Sequence, residues 1–391
     1  MKKIIALVLA LAMLAGLSAC GISANTLRTN DNSVIKIGVF EPLTGDYAAN
    51  GKLETLGIMF ANYIQPTITV AGKEYNVELV TVDNGSSKAQ AASSAKKLID
   101  EGCSVVLGSY GDDICIAAAK TFTENNMAAI AVSCTKPLVT EGSNNYFRIC
   151  YSDPFIGKVL AYYASDALEA QTVYCLGSPD YDYDQGLIYY FRQTGESLGM
   201  KVYKEDWGKS DISAYLSNAV RLGAEAIFLP VSEENAKLAL EKAASMKITA
   251  PILAGYTFES AAVTEAMEGK RLNVSVATPY EAGTDTDFDE AFLRWVSSDT
   301  ALLGYNDGGD HISALSALGY DAYFTALSAI EKAGSKDRAA VLSAMPDVSY
   351  TGITGLITFD ALGDAQKESA VIKKFDTASG SWEYVDIQYV R

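Results

Sequence analysis

The sequence predicts an α/β protein of two similar lobes, each a mainly parallel sheet flanked by helices, with a ligand cleft between them. Three observations predict it. From Val34 onward, short β-rich runs alternate with longer segments of helical period, and that alternation marks parallel strands whose crossovers carry helices. The rhythm runs to about residue 133 and restarts at Val173, so there are two βα runs. The chain has 391 residues, more than one typical domain of ~100 to 200.

The elements follow in order. Val34 to Phe40 (VIKIGVF) reads as a strand, Leu53 to Ile64 as a helix and Val77 to Asp83 (VELVTVD) as a strand. Ser87 to Asp100 (SKAQAASSAKKLID) is an Ala-rich amphipathic helix, followed by a strand at 105–108, a helix at 113–125 and a strand at 129–133. These units build the first lobe under the right-handed crossover rule. In the second run, strands at 173–176, 201–206, 226–231 and 252–254 alternate with helices at 185–198, 212–222 and 234–246. A helical region at 287–334 and a β-rich stretch at 353–390 complete the chain. Open parallel sheets bind ligands beyond the carboxyl ends of their strands, so two facing sheets share one cleft.

Ahead of these elements stand Lys2, Lys3, an apolar run from Ile4 to Leu14, and Leu17-Ser18-Ala19-Cys20. Cations, a short apolar segment and small residues make an export signal, and the final Cys resembles the bacterial lipoprotein pattern. Cys20 is then the lipidated first residue of the mature chain; the plainer alternative is a secretory signal with an incidental Cys. The apolar run is shorter than the ~20 residues a membrane span needs. Residues 1–19 are therefore a signal peptide and 20–33 a lipidated tether, which places the protein on the extracytoplasmic face of the cell membrane, held by lipid only.

The formal net charge is -17; without Lys2 and Lys3 it becomes -19, from 29 basic against 48 acidic residues. Such a surface disfavours nucleic acid and anionic membrane. Besides Cys20 there are Cys103, Cys115, Cys134, Cys150 and Cys175, an odd set of which at least one stays unpaired. No Cys or His spacing points to a metal, and no cofactor is expected. His311 is the only histidine, it opens a helix-like segment without a nucleophile signature, and neither a P-loop nor GxSxG is present. The chain reads as no enzyme. Asp180, Asp182 and Asp184 lack the spacing of a calcium loop and read as a solvated loop.

Four blocks carry a family resemblance: GVFEPLTGDYAANG at 38–51, DNGSSKAQAASSAKKLIDEG at 83–102 leading into VVLGS, YFRICYSDPFIGKVLAYYA at 146–164, and GITGLITFDALGD at 352–364. Together, in this order, they resemble the leucine/isoleucine/valine-binding family of solute-binding proteins of bacterial ABC importers. The resemblance implies a small-molecule ligand, ABC permease membrane subunits as partners, and three chain crossings near Tyr151, Pro279 and Thr351. Lobe one then comprises 34–150 and 281–350, and lobe two 152–278 and 352–391. A ligand-sensing module of the same fold without a transport role is the alternative; a secreted hydrolase is a third reading.

By the same resemblance, Thr135 matches the threonine that bonds the ligand, Ser133 lies where a backbone group does so, Cys134 stands between them, and Tyr183 covers the ligand. The loop that begins Ser109-Tyr110-Gly111-Asp112 departs from the pattern: Asp112 stands where a serine reads the ligand carboxylate. Tyr256 or Thr257 replaces the acid that pairs with the ammonium, while Asn50 and Ser232 replace aromatics. The expected ligand is therefore not held as leucine is. Asp112 and Asp113 beside Tyr110, Tyr181, Tyr183 and Tyr256 suit an amino acid or related compound with amine, amide or ring donors. Alternatively Asp112 caps the helix that follows it.

Overall fold

The computed structural model describes residues 33–208 and 211–391. The export signal, Cys20 and the tether up to residue 32 lie outside the described residues. Contacts divide the chain into Met1–Val34 and Ile35–Arg391, and the second unit carries both large sheets.

The first sheet contains β1 (Val34–Glu41), β2 (Thr67–Val70), β3 (Lys73–Asp83), β4 (Val105–Leu107), β5 (Ala128–Ala131) and β6 (Tyr146–Arg148), in the order β2-β3-β1-β4-β5-β6. Strand β4 runs parallel to β1 and β5, with Ile37 opposite Val105 and Val105 opposite Ala128. Helices α1 (Ala48–Ile64), α2 (Lys88–Asp100), α3 (Asp112–Thr123) and α4 (Leu138–Glu141) connect these strands. Val105 and Leu107 enter one apolar cluster and Val106 the other. Both faces of the sheet are thus covered at its centre, which is why β4 and β5 are continuously apolar rather than alternating.

The second sheet contains β7 (Thr172–Gly177), β8 (Lys201–Asp206), β9 (Ala226–Phe228), β10 (Ile252–Gly255), β11 (Val274–Thr278), β14 (Ser369–Asp376) and β15 (Ser381–Tyr389), in the order β15-β14-β11-β10-β9-β7-β8. Helices α5 (Asp153–Asp166), α6 (Asp182–Ser197), α7 (Ser213–Arg221), α8 (Glu233–Ser245) and α9 (Ala261–Met267) belong to this half, while α10 (Thr286–Val296), α11 (Thr300–Tyr305), α12 (Ala314–Ala333) and α13 (Arg338–Ala344) return to the first. Leu318, Tyr323 and Ile330 of α12 share the cluster that holds Ile37 and Leu107. The return of α12 is also cut to fit α1. A Cβ on Gly57 would fall inside the Ser316 carbonyl, and one on Gly319 inside the Glu54 carbonyl, so the two helices meet backbone to backbone.

Three details differ from the sequence reading. Helix α1 starts at Ala48, ahead of the expected Leu53. The hairpin β2–β3 was not anticipated, because its turn is Ala71-Gly72, both at positive φ, without the Asn-Gly or Asp-Gly that signals such turns. The chain also does not enter the second sheet at Thr351. Strands β12 (Ser349–Gly352) and β13 (Gly355–Thr358) form a separate hairpin, and Ile357 and Phe359 are buried in the first lobe's cluster beside Phe147. Burying those two side chains holds residues 352–359 with the first lobe, and the passage to the second is complete only at β14.

Candidate functional site

In the first sheet the strand order turns at β1, whose neighbours β3 and β4 lie on opposite sides; in the second it turns at β7, between β8 and β9. Crevices open at the carboxyl ends of strands at such points. Past β4 the backbone folds over Glu41. A Cβ at Gly108, where φ is +110°, would strike the Glu41 carboxyl and the Phe40 carbonyl, so only glycine fits. The Tyr110 amide then donates to Glu41 Oε2 at 2.8 Å, and Asn84 Nδ2 to Ser109 Oγ at 2.9 Å. With its backbone fixed, Tyr110 sets its ring edge-on to Tyr47, centroids 5.7 Å apart.

The segment after β5 is held from below by Arg148. This guanidinium is fully buried; it donates to the carbonyls of Cys134 (3.1 Å) and Lys136 (2.9 Å), to Thr140 Oγ1 (2.9 Å) and to Asp364 Oδ1 (2.9 Å). Asp112 supports the same segment by accepting from the Lys136 amide at 3.1 Å. The capping alternative for Asp112 is thereby corrected: Gly111 is the N-cap of α3, no side chain caps that helix, and the Asp112 carboxylate spans to a different loop. Ser133 Oγ donates to Glu54. Cys134 Sγ is turned into the apolar cluster with Phe40, Cys115 and Tyr146, so its thiol lies behind the loop and its carbonyl belongs to Arg148.

Asp153, at the start of α5, completes the acidic lining. Its amide donates to the Thr135 carbonyl at 2.9 Å. The side chain is 2% exposed, and Oδ1 has no hydrogen-bond partner among the described residues. Burial first, and the charge of Asp112 second, push its carboxyl up to about 7, against the opposing pull of the Thr135 hydroxyl. Burial likewise raises Asp112, opposed by the Lys136 amide and by Arg148. Glu54 is raised to about 7 by burial, with the bonds to Glu41 and Ser133 acting the other way, and Glu41 is raised well above the usual carboxylate range by burial and by Glu54.

From the second half come Tyr183 and Tyr256. Tyr183 lies in the first turn of α6 and its hydroxyl sits over Gly255, where a Cβ would come within 2.9 Å. Tyr256, buried at the end of β10, directs its hydroxyl to the Ser133 carbonyl at 3.3 Å. Tyr110 and Tyr183 pack against the cluster that contains Tyr256. Two further contacts join the halves: Lys136 Nζ to Asp182 at 2.5 Å and Asn50 Nδ2 to Glu233 Oε1 at 3.3 Å.

Among the residues expected from sequence, Tyr110, Asp112, Ser133, Thr135, Tyr183 and Tyr256 come together where the two halves meet. Asn50 stands at the junction with α8, and Tyr181 is 53% exposed at the N-cap of α6. Ser232 caps α8 by accepting from the Asn235 amide. The acidic loop is not wholly solvated: Asp184 is buried and accepts from the Ser178 amide at 2.7 Å. Asp153, Glu54 and Arg148 were not singled out from sequence. Asp153 did carry a signal, since Ser-Asp-Pro at 152–154 is a helix start.

The sequence model of the periplasmic binding protein family matches residues 34–372. The leucine-, isoleucine-, valine-, threonine- and alanine-binding protein of Pseudomonas aeruginosa is 24% identical, over 94% of this chain and 93% of its own. A leucine-binding protein of Thermotoga maritima superposes with a TM-score of 0.75 at 31% identity, covering 91% of this chain and 99% of its own. A solute-binding protein of an ABC transporter from Rhodopseudomonas palustris, in complex with p-hydroxybenzoic acid, superposes with a TM-score of 0.74 at 20% identity, covering 92% of this chain and 98% of its own. That last likeness shows the fold alone.

Proposed function

From the premise that the chain belongs to the periplasmic binding protein family of ABC-transporter substrate-binding proteins, we propose that it captures an amine-bearing small molecule, an amino acid or a related aromatic compound, and delivers it to a permease. Capture works by closure of the two halves, the ligand favouring a closed state through contacts available only when both meet. The observation that carries the ligand class is Asp153 Oδ1, buried and without a protein partner, beside Asp112 and under the tyrosine rings. A buried carboxylate oxygen of this kind is costly until a donor reaches it, and an ammonium or amide N–H supplies one. The tyrosine faces then take an apolar or aromatic body. An aromatic carboxylate like that of the p-hydroxybenzoate complex meets two acids here and is disfavoured.

Calorimetric titration of the delipidated protein against amino acids, aromatic amines, nucleobases and aromatic acids tests this. Amine-bearing compounds are expected to bind and their deaminated counterparts to fail. Tight binding of the deaminated counterparts refutes the ligand class, and tight leucine or valine binding that is lost in Thr135→Ala but unchanged in Asp112→Ser refutes a ligand contact through Asp112.

Periplasmic binding proteins of ABC importers work outside the cytoplasm, and no helix among the described residues is long and apolar enough to cross a membrane. Anchoring through lipidated Cys20 extends that placement, supported by the Leu-Ser-Ala-Cys pattern. Cys20→Ser is expected to shift the protein from the membrane pellet to the soluble fraction; unchanged pelleting overturns the anchor.

A further inference from the structure

Behind the two first-half loops lies a pair of thiols with no part in the reading above. Cys115 belongs to the first turns of α3 and Cys134 follows β5; their sulfurs are 3.2 Å apart. Both thiols gather on the Ser109 carbonyl, Cys134 Sγ at 2.8 Å and Cys115 Sγ at 3.4 Å, and the Ser109 amide donates to Cys115 Sγ at 3.3 Å. The sulfurs are thus already oriented toward one point, and a disulfide at ~2.05 Å requires an approach of only about 1 Å. Cys150 is engaged elsewhere, its thiol on the Cys134 carbonyl at 3.3 Å. Cys175 lies in the second half's core.

We propose that Cys115 and Cys134 are a redox-modified pair: oxidation joins them in a disulfide that ties the start of α3, into which the Ser109–Gly111 loop runs, to the Ser133–Thr135 loop. The oxidant is a low-molecular-weight disulfide or a protein disulfide of the extracytoplasmic space. One thiol loses its proton and its thiolate attacks that disulfide, expelling one thiolate; the second deprotonated sulfur attacks the mixed disulfide and expels the other. Two protein thiols are oxidised and one external disulfide is reduced to two thiols. Neither sulfur is reachable in the folded protein, with Cys115 0% and Cys134 2% exposed, so exchange runs during folding or local opening. The consequence falls on the ligand loops. Tyr110 follows Ser109, whose backbone meets both sulfurs, and its amide is already tied to Glu41; a covalent link behind this loop removes the freedom that thiol hydrogen bonds leave.

The test uses the full chain, equilibrated through a denaturation and refolding cycle with oxidised or reduced glutathione, then denatured in alkylating reagent and weighed intact. The oxidised sample is expected to carry two fewer alkyl groups than the reduced one, with a peptide map joining the Cys115 and Cys134 peptides. Amide hydrogen exchange of the 109–113 segment is expected to slow at least tenfold, and the melting temperature to rise by several degrees. Full alkylation of every thiol, glutathione adducts without the internal link, or a link to Cys150 overturns the proposal; so does the link without slower exchange. Wild-type protein in its two redox states supplies all of these readings. Cys115→Ala and Cys134→Ala should each erase the redox-dependent difference.

Discussion

Asp153 carries the sharpest chemistry of single residues. Its carboxyl is near 7 when folded and ~3.9 when unfolded. Below pH ~4 both states are protonated and the site imposes no penalty; between ~4 and 7 only the unfolded chain ionises, so stability falls as pH rises and is lost through the folded value. Asp153→Asn removes that loss, a gain on the order of 2–4 kcal/mol at pH 8. Thermal melts at about pH 3.5 and pH 8 should show the variant nearly matching wild type at the lower pH and exceeding it at the higher. An equal advantage at both would mean that burial of the charge is not the cause. Arg148→Met acts in the opposite direction, since it takes a charged donor from the Cys134 and Lys136 carbonyls and leaves the Asp364 carboxylate without its cation; breaking such a buried pair costs about 3–5 kcal/mol, readable as a lower urea midpoint. Asp112, Thr135 and the tyrosines drew the sequence reading because they sit in loops at strand ends, where chemistry concentrates. The sequence did not disclose Asp153 or Arg148, whose roles depend on which distant carbonyls and carboxylates the fold brings beside them.

At the level of elements, parallel strands and amphipathic helices were legible because each carries its own period. Boundaries were less so: β4 and β5 stop at Leu107 and Ala131, before the last apolar residues, where the chain turns into the cleft. The expected crossing near Thr351 divides the hairpin at 349–358, because the cluster that holds Ile357, built from Ile37, Phe147 and α12 residues, is remote in sequence. The contact of α1 with α12 was likewise invisible. Gly57→Ala tests it by setting two magnitudes against each other. Alanine gains ~1 kcal/mol of helix propensity over glycine, yet its Cβ would overlap the Ser316 backbone, and such overpacking costs about 1–3 kcal/mol or more. The expected outcome is a net loss of about 1–2 kcal/mol, measured as a lower melting temperature. A stabilised Gly57→Ala would show that the helices have room to separate.

For the whole molecule the decisive quantity is what keeps the halves together. Polar contacts between the halves include Tyr256 to Ser133, Asn50 to Glu233, Lys136 to Asp182 and the Asp153 amide to the Thr135 carbonyl. Asp182 is largely exposed, and an ion pair of that kind is worth ~0.2–1 kcal/mol after screening. Moving a two-state equilibrium from 1:99 to 99:1 requires about 5.5 kcal/mol of differential binding, far beyond that pair. Under the proposed function, a ligand bound beside Asp112, Asp153 and the tyrosines therefore has to supply most of the bias. Two results follow for small-angle scattering of the full chain with the metabolite that co-purifies with it. The radius of gyration should fall on saturation, and Lys136→Ala should weaken the apparent affinity by less than about fivefold without changing the saturated radius. Asp153→Asn should instead abolish the compaction at the same ligand concentration, because it removes the carboxylate charge an ammonium would be drawn to. Compaction that survives Asp153→Asn but vanishes in Lys136→Ala would reverse this ranking and make the rim ion pair, rather than the buried acid, the element that closes the protein.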